Sequence, residues 1–428
     1  MKKIMSPTWI VLDFVEQGGA SRIIQDFIRR NKKLFKSVFL FSGKTKVFDQ
    51  DIIDEFKRSI TFTVNFYRSN LKTFFLIAFK TFIKSFKIPV KNIQQAPVFI
   101  LNMPFSGLGI ICNPKLFNFK KLYVFHGALD KELFSRYTNL SKPPTLSKWN
   151  HFKLNFTTKT AYLVQKLVMQ KADKVLVFSE YSYKLVAEYF FVDKNKIFLT
   201  KIPLDVIFLK NQIIKSKLKQ KIRNRYLPNK AKKSFLIYIP SRLEPRKGIH
   251  LALEAILKVV NKIDQNEISL KFVFSGPVLD VDYSLQLFLF CKKHNLFSVV
   301  EFIDPLSRED VYKLYQSADL ILMPSLDLET LGMITLESIS FGTPVMGFEH
   351  GGTREILANF SFKDLFLLKK VDASCLADGI LNFVHTSAKV KETIRNEVRN
   401  VSKEFIFNNH NRVSLFESIT EISSASNH

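Results

Sequence analysis

Acidic residues are scarce in this chain. Only 38 Asp and Glu stand against 64 Lys and Arg over 428 residues, a formal net charge of +26, so something anionic is expected near its surface. Cysteine is rarer still: Cys112, Cys291 and Cys375 lie far apart and without paired spacing, which excludes a disulfide framework and a structural zinc site and suits a reducing cytosol. The eight histidines include no pair at metal-ligand spacing, so no metal is assigned. With 14 Gly, 15 Pro and 46% hydrophobic residues, a disordered chain is excluded as well.

A clear membrane-spanning run is also lacking. Residues 92–114 carry no charge, but Asn92, Gln94, Gln95, Pro97, Asn102, Pro104, Gly107 and Pro114 make a lipid-exposed helix implausible. Residues 98–101 read instead as a buried strand followed by a loop. At the start, Met1-Lys2-Lys3 is basic, yet Pro7 and Asp13 interrupt the apolar stretch, so residues 9–15 read as a first core strand and nothing suggests export.

A chain of this length is too long for one hydrophobic core, so two domains of about 200 residues are expected. Short apolar segments at 9–15, 37–41, 98–101, 122–125, 175–178 and 197–199 alternate with helical stretches, the signature of βαβ units and mostly parallel sheets. From 208 to 233 the chain turns polar and strongly basic, and a new strand opens at 235–239. A helix at 249–262, a strand at 270–274, a helix at 283–294, a strand at 299–303 and a helix at 308–316 continue the rhythm of a doubly wound domain.

The most informative segment follows the apolar run 320–323. Glu329 and Glu337 are separated by seven residues in Glu329-Thr330-Leu331-Gly332-Met333-Ile334-Thr335-Leu336-Glu337. A strand that turns through Gly332 into a helix leaves backbone N–H groups, here those of Met333 and Ile334, pointing outward where an anionic phosphate can settle. Two carboxylates beside such a nest can take different hydroxyls of one ligand, which describes a nucleotide-sugar pocket. Arg242 and Lys247 follow the strand at 235–239 and offer donors suited to a diphosphate. Asp280-Val281-Asp282 has the form of a metal-binding acid pair but reads as a solvated loop.

Glu329-x7-Glu337, with Ser338, Gly342-Thr343-Pro344-Val345 and Gly351-Gly352-Thr353-Arg354-Glu355-Ile356, resembles the C-terminal signature of retaining glycosyltransferases of the GT-B fold, the family 4 or glycosyl transferases group 1 type. Ser241-Arg242-Leu243 before Lys247-Gly248 is similar to its phosphate-binding Arg and Lys, Phe274-Ser275-Gly276-Pro277 to its strand-to-loop glycine, His126-Gly127 to its active-site histidine, and Gln17-Gly18-Gly19-Ala20-Ser21 to its N-terminal glycine loop. The resemblance runs from about residue 9 to 420, with a gap between about 45 and 95. It implies two Rossmann-like, doubly wound parallel-sheet domains facing a cleft, at 1–207 on the acceptor side and 208–405 on the nucleotide-sugar side. A helix at 406–428 would return to the first domain.

The activity implied is transfer of a hexose from a UDP- or GDP-sugar to a saccharide or lipid-linked acceptor, with retention of configuration and without a metal or other cofactor, in envelope glycan or glycolipid assembly. His126, Arg242, Lys247 and Glu329 would be catalytic. Gly18, Gly19, Arg242, Lys247, Gly276, Gly332, Met333, Ile334 and Glu337 would bind the donor, with Glu337 on the ribose. Three departures bear on specificity. Ile202-Pro203-Leu204-Asp205 replaces the usual Asn-Gly before Asp, Thr330-Leu331 replaces a Gly-aromatic pair, and Asp304-Pro305 stands where Gly is frequent.

Two other readings stay open: a non-catalytic protein holding an anionic membrane or polymer, and a nucleotide-sugar epimerase. Nucleic acid is not expected, for no clustered reading module accompanies the charge. The anionic bilayer is favoured by 66–87, where Lys72, Lys80, Lys84 and Lys87 fall on one helical arc and Phe75, Phe79, Phe82 and Phe86 on another. The same stripe would serve a helix packed on its own sheet, so a cytoplasmic protein, with or without attachment to the inner face of the membrane, is expected.

Overall fold

The computed structural model describes residues 8–14, 35–42, 61–63, 79–80, 82–83, 86, 98–137, 148–200, 212–227, 233–326 and 329–407. They fall into two compact units: among the described residues the first holds those up to Phe134 and 148–200, and the second holds 135–137 and those from Gln212 to 407. The expected change of domain at 207, the turn 202–205 and the returning tail after 407 lie outside the described residues.

The first unit is a seven-stranded, wholly parallel sheet. Its strands are β1 (Thr8–Phe14), β2 (Phe35–Ser42), β3 (Thr61–Thr63), β4 (Phe99–Leu101), β5 (Lys121–Val124), β6 (Lys174–Val177) and β7 (Ile197–Leu199), in the spatial order β3-β2-β1-β4-β5-β6-β7. β4 and β5 are buried throughout, as expected of parallel strands covered on both faces. The loop expected after β4 is instead the helix α1 (Pro104–Ile111), which starts with proline at its first positions, where a missing N–H costs nothing. α2 (Leu129–Tyr137) follows β5, and the 24-residue α3 (Lys148–Lys171) packs across α1. Gly107 permits that crossing, since a Cβ there would lie 2.7 Å from Val168 Cγ1. After β6, the short α4 (Glu180–Lys184) is capped by Ser179, whose hydroxyl accepts from Ser182 N–H. It runs on into a π turn, Leu185–Tyr189.

The second unit opens with α5 (Ser216–Tyr226), a helix inside the basic stretch read from sequence as a polar transition between domains. Lys, Arg and Gln are good helix formers, and a charged run without apolar periodicity hides that. Six parallel strands follow: β8 (Lys233–Pro240), β9 (Ile268–Ser275), β10 (Val300–Ile303), β11 (Leu320–Met323), β12 (Val345–Phe348) and β13 (Leu367–Leu368). Their order is β10-β9-β8-β11-β12-β13. Between them run α6 (Ile249–Val260), α7 (Val281–Lys293), α8 (Arg308–Ser317), α9 (Met333–Ser340), α10 (Gly351–Leu357) and α11 (Lys363–Phe366); α12 (Ala373–His385) follows β13, and α13 (Ala388–Phe407) packs on α9 and α10. Asp280-Val281-Asp282 is not a solvated loop. Asp280 caps α7, its carboxylate accepting from Tyr283 N–H at 2.9 Å, which turns the acid pair into a helix start.

Both sheets have the strand order of the doubly wound Rossmann fold. In the second unit the order reverses between β8 and β11, and the loops leaving the carboxyl ends of those two strands frame that point. No helix among the described residues is long and apolar enough to cross a membrane.

Candidate functional site

The reversal point gathers three of the residues singled out from sequence. Arg242 follows the end of β8, Lys247 ends the 3₁₀ turn Pro245–Lys247 just beyond it, and Glu329 comes from the loop after β11. The two loops are tied together where Leu326 N–H donates to the Arg246 carbonyl at 2.9 Å. The Lys247 ammonium forms a close ion pair with Glu329 Oε1, and Ser325 Oγ donates to the same oxygen at 2.9 Å. Burial pushes the Glu329 carboxyl up, but Lys247 and then Arg246 outweigh it and hold the pKa down to about 2. Burial and the neighbouring arginines lower the Lys247 pKa, against the pull of Glu329. Glu329 is therefore an acceptor at neutral pH and cannot serve as a proton donor.

Beside this pair, the buried Glu244 carboxylate joins Arg242 Nη2 at 3.1 Å and Arg246 Nε at 3.0 Å, both through Oε1. It fixes the arginine that would meet a phosphate. Sequence reading missed Glu244, Arg246 and Ser325. The alternation of charge within Arg242-Leu243-Glu244-Pro245-Arg246-Lys247 was the available signal for the first two.

Gly332 sits at φ +68° as the residue before α9, in the left-handed region, and a Cβ there would lie 3.0 Å from Thr353 N. The first intrahelical bond runs from Leu336 N–H to the Gly332 carbonyl, so the N–H groups of Met333 and Ile334 precede the helical ladder and stand at the positive end of α9. The loop before α9 is pinned by Gly352 N–H to the Glu329 carbonyl at 2.7 Å. Glu337 lies one turn further, 1% exposed, and accepts from Tyr312 Oη at 3.4 Å. The close approach at Gly276, where a Cβ would run into the Ser241 carbonyl, lets the loops after β8 and β9 run side by side. There Leu243 N–H donates to the Pro277 carbonyl at 3.0 Å.

In the first unit, His126 follows β5. Its Nε2 lies 3.3 Å from Asn102 Oδ1 after β4, and its ring stacks on Phe178 after β6 at 6.2 Å between centroids. Three adjacent strand ends thus frame the imidazole, and burial lowers its pKa to about 4, so it is neutral at pH 7. Gln165 of α3 holds the turn behind it, donating to the Gly127 carbonyl at 2.8 Å and accepting from Leu129 N–H at 2.9 Å. Gly18 and Gly19 lie outside the described residues, as do Lys72, Lys84 and Lys87. Of the segment 66–87, Phe79, Lys80 and Phe86 are exposed while Phe82 and Ile83 are partly buried.

The profile described as glycosyl transferases group 1 matches residues 220–401. The match covers most of the second unit. Among curated relatives, an uncharacterized glycosyltransferase of Methanocaldococcus jannaschii is 30% identical over 122 residues, 28% of this chain and 29% of that protein. A glycogen synthase of Mycoplasma mobile is 33% identical over 132 residues, 31% of this chain and 26% of its own. The matched segment thus spans less than a third of these relatives. Among solved structures, HepE of Anabaena, crystallised with UDP and glucose, superposes with a TM-score of 0.69 over 98% of both chains at 17% identity. That likeness gives the chain the GT-B fold.

Proposed function

We propose that the protein is a retaining glycosyltransferase that moves a hexose from a UDP- or GDP-sugar to a saccharide or lipid-linked acceptor. The observation that carries this reading is the buried Lys247–Glu329 pair beside Arg242, at the point where the strand order reverses and next to the N-terminus of α9. Two cations and a helix terminus in one place form an anion site, and an ionised carboxylate among them is a hydroxyl acceptor. HepE binds UDP and glucose on the same fold, which supports a nucleotide-sugar donor here.

In this reading Arg242, Lys247 and the Met333 and Ile334 N–H groups hold the diphosphate and stabilise the charge it gains as the bond from the anomeric carbon breaks. Both described contacts of Glu329 fall on Oε1, and we assign Oε2 to a hydroxyl of the donor sugar. Glu337 takes the ribose, with Tyr312 orienting it. The acceptor oxygen bonds to the anomeric carbon on the face the diphosphate leaves, and its proton passes to the departing phosphate oxygen. The cationic side chains supply the charge a metal would otherwise supply, so the reaction runs without one. In the first unit His126, neutral and held through Asn102, is the candidate for a catalytic contact of its own. The net charge suits an acceptor at the inner face of the membrane in envelope glycan assembly.

The first test is a thermal-shift panel of UDP, GDP, ADP and their hexose conjugates. One nucleotide class should raise the melting temperature of the wild type, because it binds only the folded state. Glu337→Gln and Lys247→Met should lose that rise while still melting cooperatively. Release of nucleoside diphosphate only when acceptor is added separates transfer from epimerisation. No shift with any nucleotide would remove the donor site.

A further inference from the structure

α3 is an unusual helix for the outside of a folded unit. Its 24 residues include five lysines and no Asp or Glu. Its inner face is ordinary: Leu154, Ala161, Gln165 and Val168 are buried against the rest of the unit. Its outer face is not. Phe152, Phe156, Leu163 and Leu167 are 60, 57, 52 and 40% exposed, and at about 100° per residue they share an arc of roughly 60°, with Lys159 and Lys166 along one border. Single exposed apolar side chains need no explanation, but four large ones in one stripe do.

Phe191 adds an independent observation. It is 66% exposed and holds φ +54°, a backbone region that a bulky side chain rarely enters. The turn is locked in place, with Tyr162 Oη donating to the Tyr189 carbonyl at 3.0 Å and Val192 N–H to the Val186 carbonyl at 3.2 Å. Gln170 Nε2 of α3 donates to the Phe191 carbonyl at 3.4 Å, and the Lys166 ammonium lies 4.8 Å from the Phe191 ring. The chain therefore tolerates strain to hold an aromatic ring in water beside the lysine-flanked stripe, a cost that is offset if the ring enters an apolar phase.

We infer that the outer face of α3, together with Phe191, docks on an anionic lipid bilayer, the apolar stripe entering the acyl boundary and Lys159, Lys166 and Lys171 meeting the headgroups. A basic helix with an exposed apolar face fits an interface of that kind. A polyanion would neutralise the lysines but leave Phe152, Phe156, Leu163 and Leu167 wet. A second copy of the same face would set acid-free lysine rows against each other. The inner face of α3 carries Gln165, which holds the turn after His126, so the docked helix and the histidine share one rigid support. This deepens the membrane side of the proposed function and does not depend on the donor site.

The test is co-sedimentation of the full chain with vesicles of phosphatidylcholine alone and of phosphatidylcholine mixed equally with phosphatidylglycerol. The wild type should pellet only with the mixed vesicles and be released by molar salt. Lys159→Glu with Lys166→Glu, and separately Phe152→Ser with Leu163→Ser, should each lower the partition by at least about tenfold. Phe152, Lys159 and Leu163 are exposed and Lys166 is half-buried at the surface, so melting temperature without vesicles should stay near the wild-type value, as should the rise given by the stabilising nucleotide. Phe191→Asn should also weaken vesicle binding while melting no lower than the wild type, because Asn accepts the left-handed backbone. Wild-type chain that ignores mixed vesicles, or variants that bind them as the wild type does, would overturn the inference. So would a dimer that the stripe variants convert to monomer with vesicle binding unchanged. Loss of the nucleotide response with vesicle binding intact would instead sink the donor-site reading alone.

Discussion

At the scale of single residues, Glu329 and Lys247 depend on each other. Removing one partner of a buried ion pair strands the other, at a cost of roughly 3–5 kcal/mol. Lys247→Met should therefore lower stability by an amount of that order, and Lys247→Met with Glu329→Gln should recover part of it. Urea unfolding of the wild type and these two variants measures this. The pH dependence has a definite sign. Glu329 falls from an ordinary value of 4.5 to about 2 in the folded chain, so its contribution is complete above about pH 4.5 and disappears as pH drops toward 2. The melting-temperature gap between wild type and Glu329→Gln should close across that window. A gap that stays constant would mean the pair does not hold the carboxylate down. His126 runs in the same direction for a different reason. Burial moves it from 6.5 to about 4, so its imidazole should stay neutral well below pH 6 when followed by NMR, and its stabilising contribution should fade between 6.5 and 4 as the unfolded chain takes up the proton first.

Arg242, Lys247, Glu329 and Glu337 were legible because a loop motif keeps its chemistry in a short stretch of chain. Ser325 and Glu244 were not, although each is within a few residues of them, since their roles depend on which oxygen of a carboxylate faces which loop. Asn102 and Gln165 reach His126 and its turn from 24 and 36 residues away respectively, and no local pattern encodes that.

At the scale of elements, α9 depends on its first residue. Gly332→Ala would place a Cβ against Thr353 N in a left-handed backbone, a strain of about 1–2 kcal/mol, and should abolish the nucleotide-induced rise in melting temperature. Gly332→Asn should cost less in stability. Asp319 is another keystone. At the start of β11 its Oδ2 accepts from Leu236 N–H of β8 at 2.9 Å and from Arg223 of α5 at 2.7 Å, while its Oδ1 accepts from Arg395 of α13 at 2.8 Å. Asp319→Ala leaves two guanidinium groups and a backbone donor without this acceptor, and should destabilise by several kcal/mol, read as an earlier urea midpoint.

Most core strands of both halves were visible as apolar runs, and β11 coincides with the stretch marked from sequence, whereas β3, the buried β12 and the two-residue β13 were not read as strands. α3 was not visible. Leu154, Ala161 and Val168 point inward while Phe152, Phe156 and Leu163 point outward, so the apolar residues run around the helix and erase the 3.6-residue period that would announce it. The property that hid this helix from sequence reading is the one that carries its docking face.

At the scale of the whole molecule, the positive charge serves two separable purposes. Lys247 and Arg246 are buried and paired, whereas Lys159 and Lys171 are exposed. Salt screens exposed charges much more than buried ones. Raising salt to about molar, where screening acts within roughly 3 Å, should strip the chain from anionic vesicles yet leave most of the nucleotide response. If both responses vanished together, the exposed lysines and the donor site would have to be one surface.

The meeting of β8 and β11 also has a mechanical side. Eight residue pairs join β8 to β9, but only two, Leu320 with Ile237 and Ile321 with Tyr238, join β8 to β11. Stretched between its ends in an optical trap, the second unit should part along that line once the packing of α6 against α12 and the bonds of Asp319, which also span it, give way. A nucleotide gripped by Lys247 on one lip and by α9 on the other would work as a clasp, and the force needed to open the tear would report its presence without any chemistry taking place.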